Sequence, residues 1–242
     1  THRTRVKLMW KWLTRSELST AAARDSRTAL RLESLESREV PAILIQLDYT
    51  YDTGFFKNNA AAREVLERVA ADLGNSISAN LASIVPSGGN TWTASFFNPA
   101  TGAVTNLSNV VVGANSIKVF VGGRALGGGA AGVGGFGGYG VSGSSTWINR
   151  VQTRGWSGFA PWGGSIAFDT TKNWYFGLNT SGLSGDKLDF YSVAVHEMGH
   201  VLGIGTSARW NSLSSTGAFR GTNAMAVYGG AVPLSSDRAH WG

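Results

Sequence analysis

The chain has 242 residues, enough for one domain with or without a short tail, and its 43% apolar content with nine Trp and eleven Phe supplies a sizeable core. The formal charge of +6 is unevenly placed: residues 1–40 hold nine Lys/Arg against five Asp/Glu, and the remainder holds twelve against ten, so the body has no basic stripe for nucleic acid. There is no cysteine, which excludes disulfide frameworks, thiolate zinc sites and cysteine nucleophiles, and no run of about 18 uncharged apolar residues that would span a membrane.

Residues 1–42 are charged and lack a core-forming pattern, and Leu18–Ala23 is too short for a signal-peptide core. The expected compact domain is therefore 43–242. It opens on the buried-strand pattern Ile43-Leu-Ile-Gln-Leu. Apolar residues at helical spacing from Ala62 to Ile84 predict a long amphipathic helix over 59–84, with a soft point at Gly74-Asn75. Strands are predicted at Thr91–Phe97, Val110–Val112, Ile117–Val121 and Ser165–Phe168. Glycine dominates 122–143. Gly132-Val-Gly-Gly-Phe-Gly137 formally matches a dinucleotide fingerprint, but no helical pattern follows and the next acid is Asp169, so a glycine-rich surface loop is expected. The predicted fold is α+β: a twisted mixed sheet backed by the 59–84 helix, with a second helix flooring a cleft.

The second helix carries the chemistry. In Asp189-Phe-Tyr-Ser-Val-Ala-Val-His196-Glu197-Met-Gly-His200-Val-Leu-Gly203, Asp189 is placed to cap the helix. His196 and His200, four apart, project from one face, so both imidazoles can meet one zinc ion at roughly 2.0–2.1 Å. Glu197 lies beside them, placed to activate a water. Two histidines and a glutamate buried together without metal would be costly. A catalytic zinc wants a third protein ligand. No Glu follows residue 197, which leaves Asp237 and His240 downstream, and His2 in the tail. Asp237 is also a natural turn former after Ser235-Ser236.

The helix His196-Glu-Met-Gly-His-Val-Leu-Gly203 resembles that of the metzincin metallopeptidases, whose glycine lets the chain turn back beneath the metal. Compact metzincins place the third histidine three residues after that glycine, where this chain has Thr206. With Trp210 and a distant His240-Trp241, the pattern is similar to bacterial leishmanolysin-like members, in which an insertion precedes the third histidine. The resemblance extends over 43–242 and implies a zinc-dependent endopeptidase: zinc on His196, His200 and His240, Glu197 as general base, and a protein or peptide held along an edge strand. Leishmanolysins are rich in disulfides, unlike this chain. Metzincins also place a methionine turn after the third histidine, whereas Met9, Met198 and Met225 all precede His240, so a longer parent protein is expected. Gly163-Gly-Ser-Ile-Ala-Phe-Asp169 resembles the Gly-Gly-x-Ile-His-Phe-Asp strand of matrix metalloproteinases. Ala167 and Lys172 stand where that family binds structural ions, so neither ion is carried over. Arg31-Leu-Glu-Ser-Leu-Glu-Ser-Arg-Glu-Val-Pro-Ala42 resembles a segment near the start of exported bacterial proteins, which implies a secreted or cell-surface location. Tyr228 is a candidate oxyanion donor against a plain packing role. Two rival readings are an inactive zinc-binding relic and a carbohydrate- or surface-binding module using Trp147, Trp156, Trp162 and Trp174.

Overall fold

The computed structural model describes residues 42–155 and 158–242, so the expected tail lies outside the described residues except for Ala42, as does Trp156. In chain order the first half holds β1 (Leu44–Asp48), α1 (Ala60–Ser76), β2 (Thr91–Phe97), β3 (Val104–Ser108), β4 (Ser116–Arg124), β5 (Gly132–Phe136), β6 (Gly138–Ser142) and α2 (Ser145–Thr153). The second half holds β7 (Gly163–Asp169), β8 (Trp174–Tyr175), β9 (Leu188–Asp189), α3 (Phe190–Val201), α4 (Ala208–Leu213), β10 (Ser214–Ser215), β11 (Ala218–Phe219), α5 (Thr222–Tyr228) and β12 (Val232–Pro233).

The main sheet has the order β1-β4-β7-β5. β1, β4 and β7 run parallel, and β5 joins antiparallel as an edge strand with Gly132 opposite Phe168 and Phe136 opposite Gly164. The fold is thus α+β around a mixed sheet, as the sequence predicts. β4 and β7 are almost continuously buried because both sheet faces are covered. On one face Ile117, Val119, Val121, Ile166 and Phe168 pack with Val65, Leu66 and Val69 of α1 and with Phe190, Ala194 and Met198 of α3. On the other, Phe120 meets Trp92 and Phe96 of the antiparallel β3-β2-β6 sheet, with Trp147 and Trp162. Trp147, Trp162 and Trp174 are all buried, with their indole N–H groups on the carbonyls of Thr91, Gly138 and Asp169. They are core residues, and the sugar-stacking reading loses them.

Three predicted elements need correction. The 59–84 helix stops at Ser76. The Gly74 carbonyl accepts from Ile43 N and Ile77 N, tying the helix end to the start of β1, and Ile77 is already extended. Leu81 and Ile84 are buried all the same, from irregular chain held by Asn115 and Val112. Their helical spacing records burial without helix. Val110–Val112 forms only one bridge, Val112 with Ile84, and the partner of β2 is β3 instead. The glycine-rich 122–143 segment is no surface loop: it completes β4, turns through Gly127–Gly129 and forms β5 and β6.

One buried cation was not anticipated. Arg154 is fully buried, and its guanidinium donates to the carbonyls of Ala82, Ser116 and Gly113 at 2.6–2.9 Å, tying the end of α2 to the segment around Ala82 and to the start of β4. Burial lowers its pKa to about 10, which leaves it charged at neutral pH.

Candidate metal centre

α3 starts where the sequence places it. Asp189 caps it, its carboxylate accepting from Ser192 N at 3.2 Å, and Tyr191 ties it to α1 by donating to Asp72 at 2.8 Å. Phe190, Ala194, Met198 and Val201 face the core, which leaves His196 and His200 on the opposite side. Gly203 ends the helix at φ +94°, a conformation that suits glycine, with Phe159 packed where a side chain would stand.

The chain then makes a long excursion and returns. Ser207 caps α4 by accepting from Trp210 N at 3.1 Å, and Trp210 stacks on Phe219 at 4.2 Å between ring centres. The Trp210 indole donates to the Arg238 carbonyl at 2.9 Å, and its ring meets Trp241 at 5.1 Å. The Arg238 side chain reaches back to the Ser214 carbonyl at 2.7 Å, and Leu234 bridges to Trp241. The 204–239 insertion is therefore closed on itself at the two residues flanking Ala239-His240.

This closure brings His240 to His196 and His200. One ring nitrogen from each lies within 4.8 Å of the others, and the His196 and His200 Nε2 atoms are 3.0 Å apart. The His196 and His240 planes are nearly parallel, and His200 stands at 85–89° to both. The other nitrogens of two rings are fixed. His200 Nδ1 is 2.8 Å from the Ile204 carbonyl, which can only accept, so Nδ1 carries a proton and Nε2 is the atom turned to His196. His240 Nδ1 is 2.7 Å from Asp237 Oδ2. The Ser235 hydroxyl, the Ala239 N–H and His240 hold the Asp237 carboxyl far below the usual carboxylate range, so it too accepts, and His240 Nδ1 donates to it. Burial, followed by the two neighbouring imidazoles, lowers the pKa of His196 and favours its neutral form.

The fit to a metal follows from this donor set. Three clustered imidazoles suit zinc, and zinc at 2.0–2.1 Å from each nitrogen sets them roughly 3.3 Å apart, close to the His196–His200 spacing. Asp237, the competing ligand in the sequence, is outside this cluster and behind His240. Among the described residues no hydrogen bond or core contact involves the Tyr228 hydroxyl, and the residue is 61% exposed on α5.

Glu197 is 6% exposed, wedged between α3 and β5. Burial raises its pKa to about 7, against the opposing pull of the Gly134 N–H and of His240. Here the glycines of β5 find their reason. A Cβ on Gly132 would come within 2.7 Å of Glu197 Cγ, and one on Gly134 within 2.5 Å of the Glu197 carbonyl oxygen. A side chain at either position would push the strand away from the helix. At Gly135, by contrast, a Cβ would meet nothing within 4 Å. Gly134→Ala is accordingly expected to destabilise the fold by about 1–3 kcal/mol, and Gly135→Ala to stay within about 0.5 kcal/mol. Denaturant unfolding of the two variants checks this, and equal losses would remove the close packing as the cause.

The family model of the matrixin peptidases matches residues 155–217, a stretch that holds β7 and α3 and stops before His240. No curated protein and no solved structure matches the chain. The matrixin match and the three converging histidines together support a zinc metallopeptidase of the metzincin type.

Proposed function

We propose that the chain is a zinc-dependent endopeptidase, with His196, His200 and His240 as metal ligands and Glu197 as general base. The observation that carries the reading is the convergence of three imidazole rings beside one buried carboxyl. Zinc held there supplies a Lewis acid that polarises a peptide carbonyl and makes water more acidic. The chain's own residues do the rest. Glu197 receives the proton of the attacking water and delivers it to the leaving amine, a task suited to a carboxyl near neutral pKa. Asp237 and the Ile204 carbonyl hold two of the imidazoles in the orientation that presents Nε2. β5 ends the sheet, so its outer edge is available to an extended peptide through main-chain hydrogen bonds.

The inserted third histidine favours the leishmanolysin-like branch, because 36 residues, 204–239, separate Gly203 from His240. The 31–42 motif supports export to a secreted or cell-surface location. Among the described residues no helix is long and apolar enough to cross a membrane. The test is removal and return of metal. Chelation should abolish cleavage of an unfolded protein substrate, and one equivalent of zinc should restore it. Cleavage that survives complete zinc removal would sink the reading.

A further inference from the structure

The 204–239 insertion has to bring its far end back to where it began, because His240 follows it directly. Its first residues are bound to α3. Ile204 N donates to the Gly199 carbonyl at 2.9 Å, the Thr206 hydroxyl donates to the His200 carbonyl at 3.1 Å, and the Ile204 carbonyl faces His200 Nδ1. Its last residues form a tight loop of their own: Arg238 N donates to the Ser235 carbonyl and Ser235 N to the His240 carbonyl, both at 2.9 Å. The two ends meet at Gly205. This glycine sits at φ +77°, and a Cβ on it would collide with the Ala239 carbonyl oxygen and lie 3.1 Å from Ala239 Cα. A second hold comes from the buried Trp210, whose indole N–H donates to the carbonyl of Arg238, the residue before Ala239.

We propose that Gly205 and Trp210 are positioning residues for the third metal ligand: they clasp the 235–240 loop so that His240 stands beside His196 and His200 before metal arrives. The proposal rests on the zinc reading above. Neither residue is in the histidine cluster, so each acts on it through the loop. Closing a 36-residue excursion costs conformational entropy, and without prior contacts that cost falls on metal binding. The clasp transfers it to folding. Both residue types suit the task. A side chain at 205 would be strained by the left-handed backbone and blocked by Ala239, whereas glycine lets the two main chains touch. Tryptophan supplies the N–H together with a ring large enough to meet both Phe219 and Trp241. Alanine at 205 forces one side to give. Residues 204 and 206 are hydrogen-bonded to α3, while Ala239 N bonds within its own loop to Asp237, so the displacement falls on Ala239 and carries His240 with it.

The test measures the zinc affinity of the full chain by competition with a chromophoric chelator. The variants are Gly205→Ala, Trp210→Phe and His240→Ala, and each of the first two combined with the third. Gly205→Ala should lose about 10–100-fold in affinity, the range for removing a support of a metal ligand. Trp210→Phe keeps a ring against Phe219 and Trp241 but loses the N–H, and should cost about threefold to tenfold. It carries the test by itself if Gly205→Ala does not fold. In the His240→Ala background neither change should cost more than about twofold, because the residue they position is gone. A general weakening of the fold would not give that non-additivity. Losses of undiminished size in that background mean action through His200 or the fold as a whole, and overturn the proposal. Full affinity in both single variants, with a large loss in His240→Ala, also overturns it and leaves the zinc reading standing. Full affinity in His240→Ala removes His240 from the metal site, and the proposal falls with that reading.

Discussion

Glu197→Gln is expected to lower peptide hydrolysis by about 10²–10⁴-fold while zinc stays at one ion per chain. The substitution keeps the shape of a side chain packed within 2.7 Å of where a Gly132 Cβ would stand, so β5 and α3 keep their contact. What it removes is the carboxylate that accepts a proton. Burial holds that carboxyl near 7, so around neutral pH it both takes up and gives back a proton readily, and an amide does neither. The proposed metal ligands are three imidazoles, and Glu197 is not in their cluster. Metal analysis and turnover on one preparation therefore separate the two roles. Undiminished turnover would remove Glu197 from the mechanism, and loss of zinc with turnover would make it part of the metal's support.

The local parts of the site were legible in the sequence, and of the long-range parts His240 was, through its resemblance, while the strand beside Glu197 was not. His196, Glu197 and His200 are fixed by helical spacing, and Asp189 by its place before the apolar face, so both follow from a short stretch of chain. β4 and β7 were readable as runs of apolar residues, and their buried pattern on both faces explains why. β5 was not. Its glycines follow no strand propensity, because they answer to Glu197 on a helix much later in the chain. β3 escaped for a different reason: none of its residues is buried, so no apolar face marks it. The role of Asp237 was half visible. Its turn-forming contacts to Ser235, Ala239 and His240 N are as its position suggests, but the same carboxylate also accepts from the His240 ring. An Asp three residues before a candidate ligand histidine was the available signal.

That second contact decides the expected order of zinc affinities at the far end of the insertion. His240→Ala removes a proposed ligand, and zinc affinity should fall by several orders of magnitude, because two histidines four apart would leave the metal half-held. Asp237→Ala keeps all three ligands but frees the His240 ring, which then rotates and exchanges its proton between Nδ1 and Nε2. A loss of about 10–100-fold is expected, the usual range for removing a hydrogen-bond partner of a metal-binding imidazole. Turn formation alone would predict almost no change in affinity, so a measured loss in this range separates the two roles of Asp237. Asp237→Asn refines the point: its side-chain oxygen can still accept from Nδ1, so it should recover part of the loss if orientation is what matters. Competitive titration with a chromophoric chelator gives the three affinities directly. Affinities in the reverse order, with Asp237→Ala the worse, would transfer the ligand to Asp237 and leave His240 as its partner. Full affinity in both variants would place the third ligand outside Ser235–Gly242 and would undo the convergence on which the peptidase reading rests.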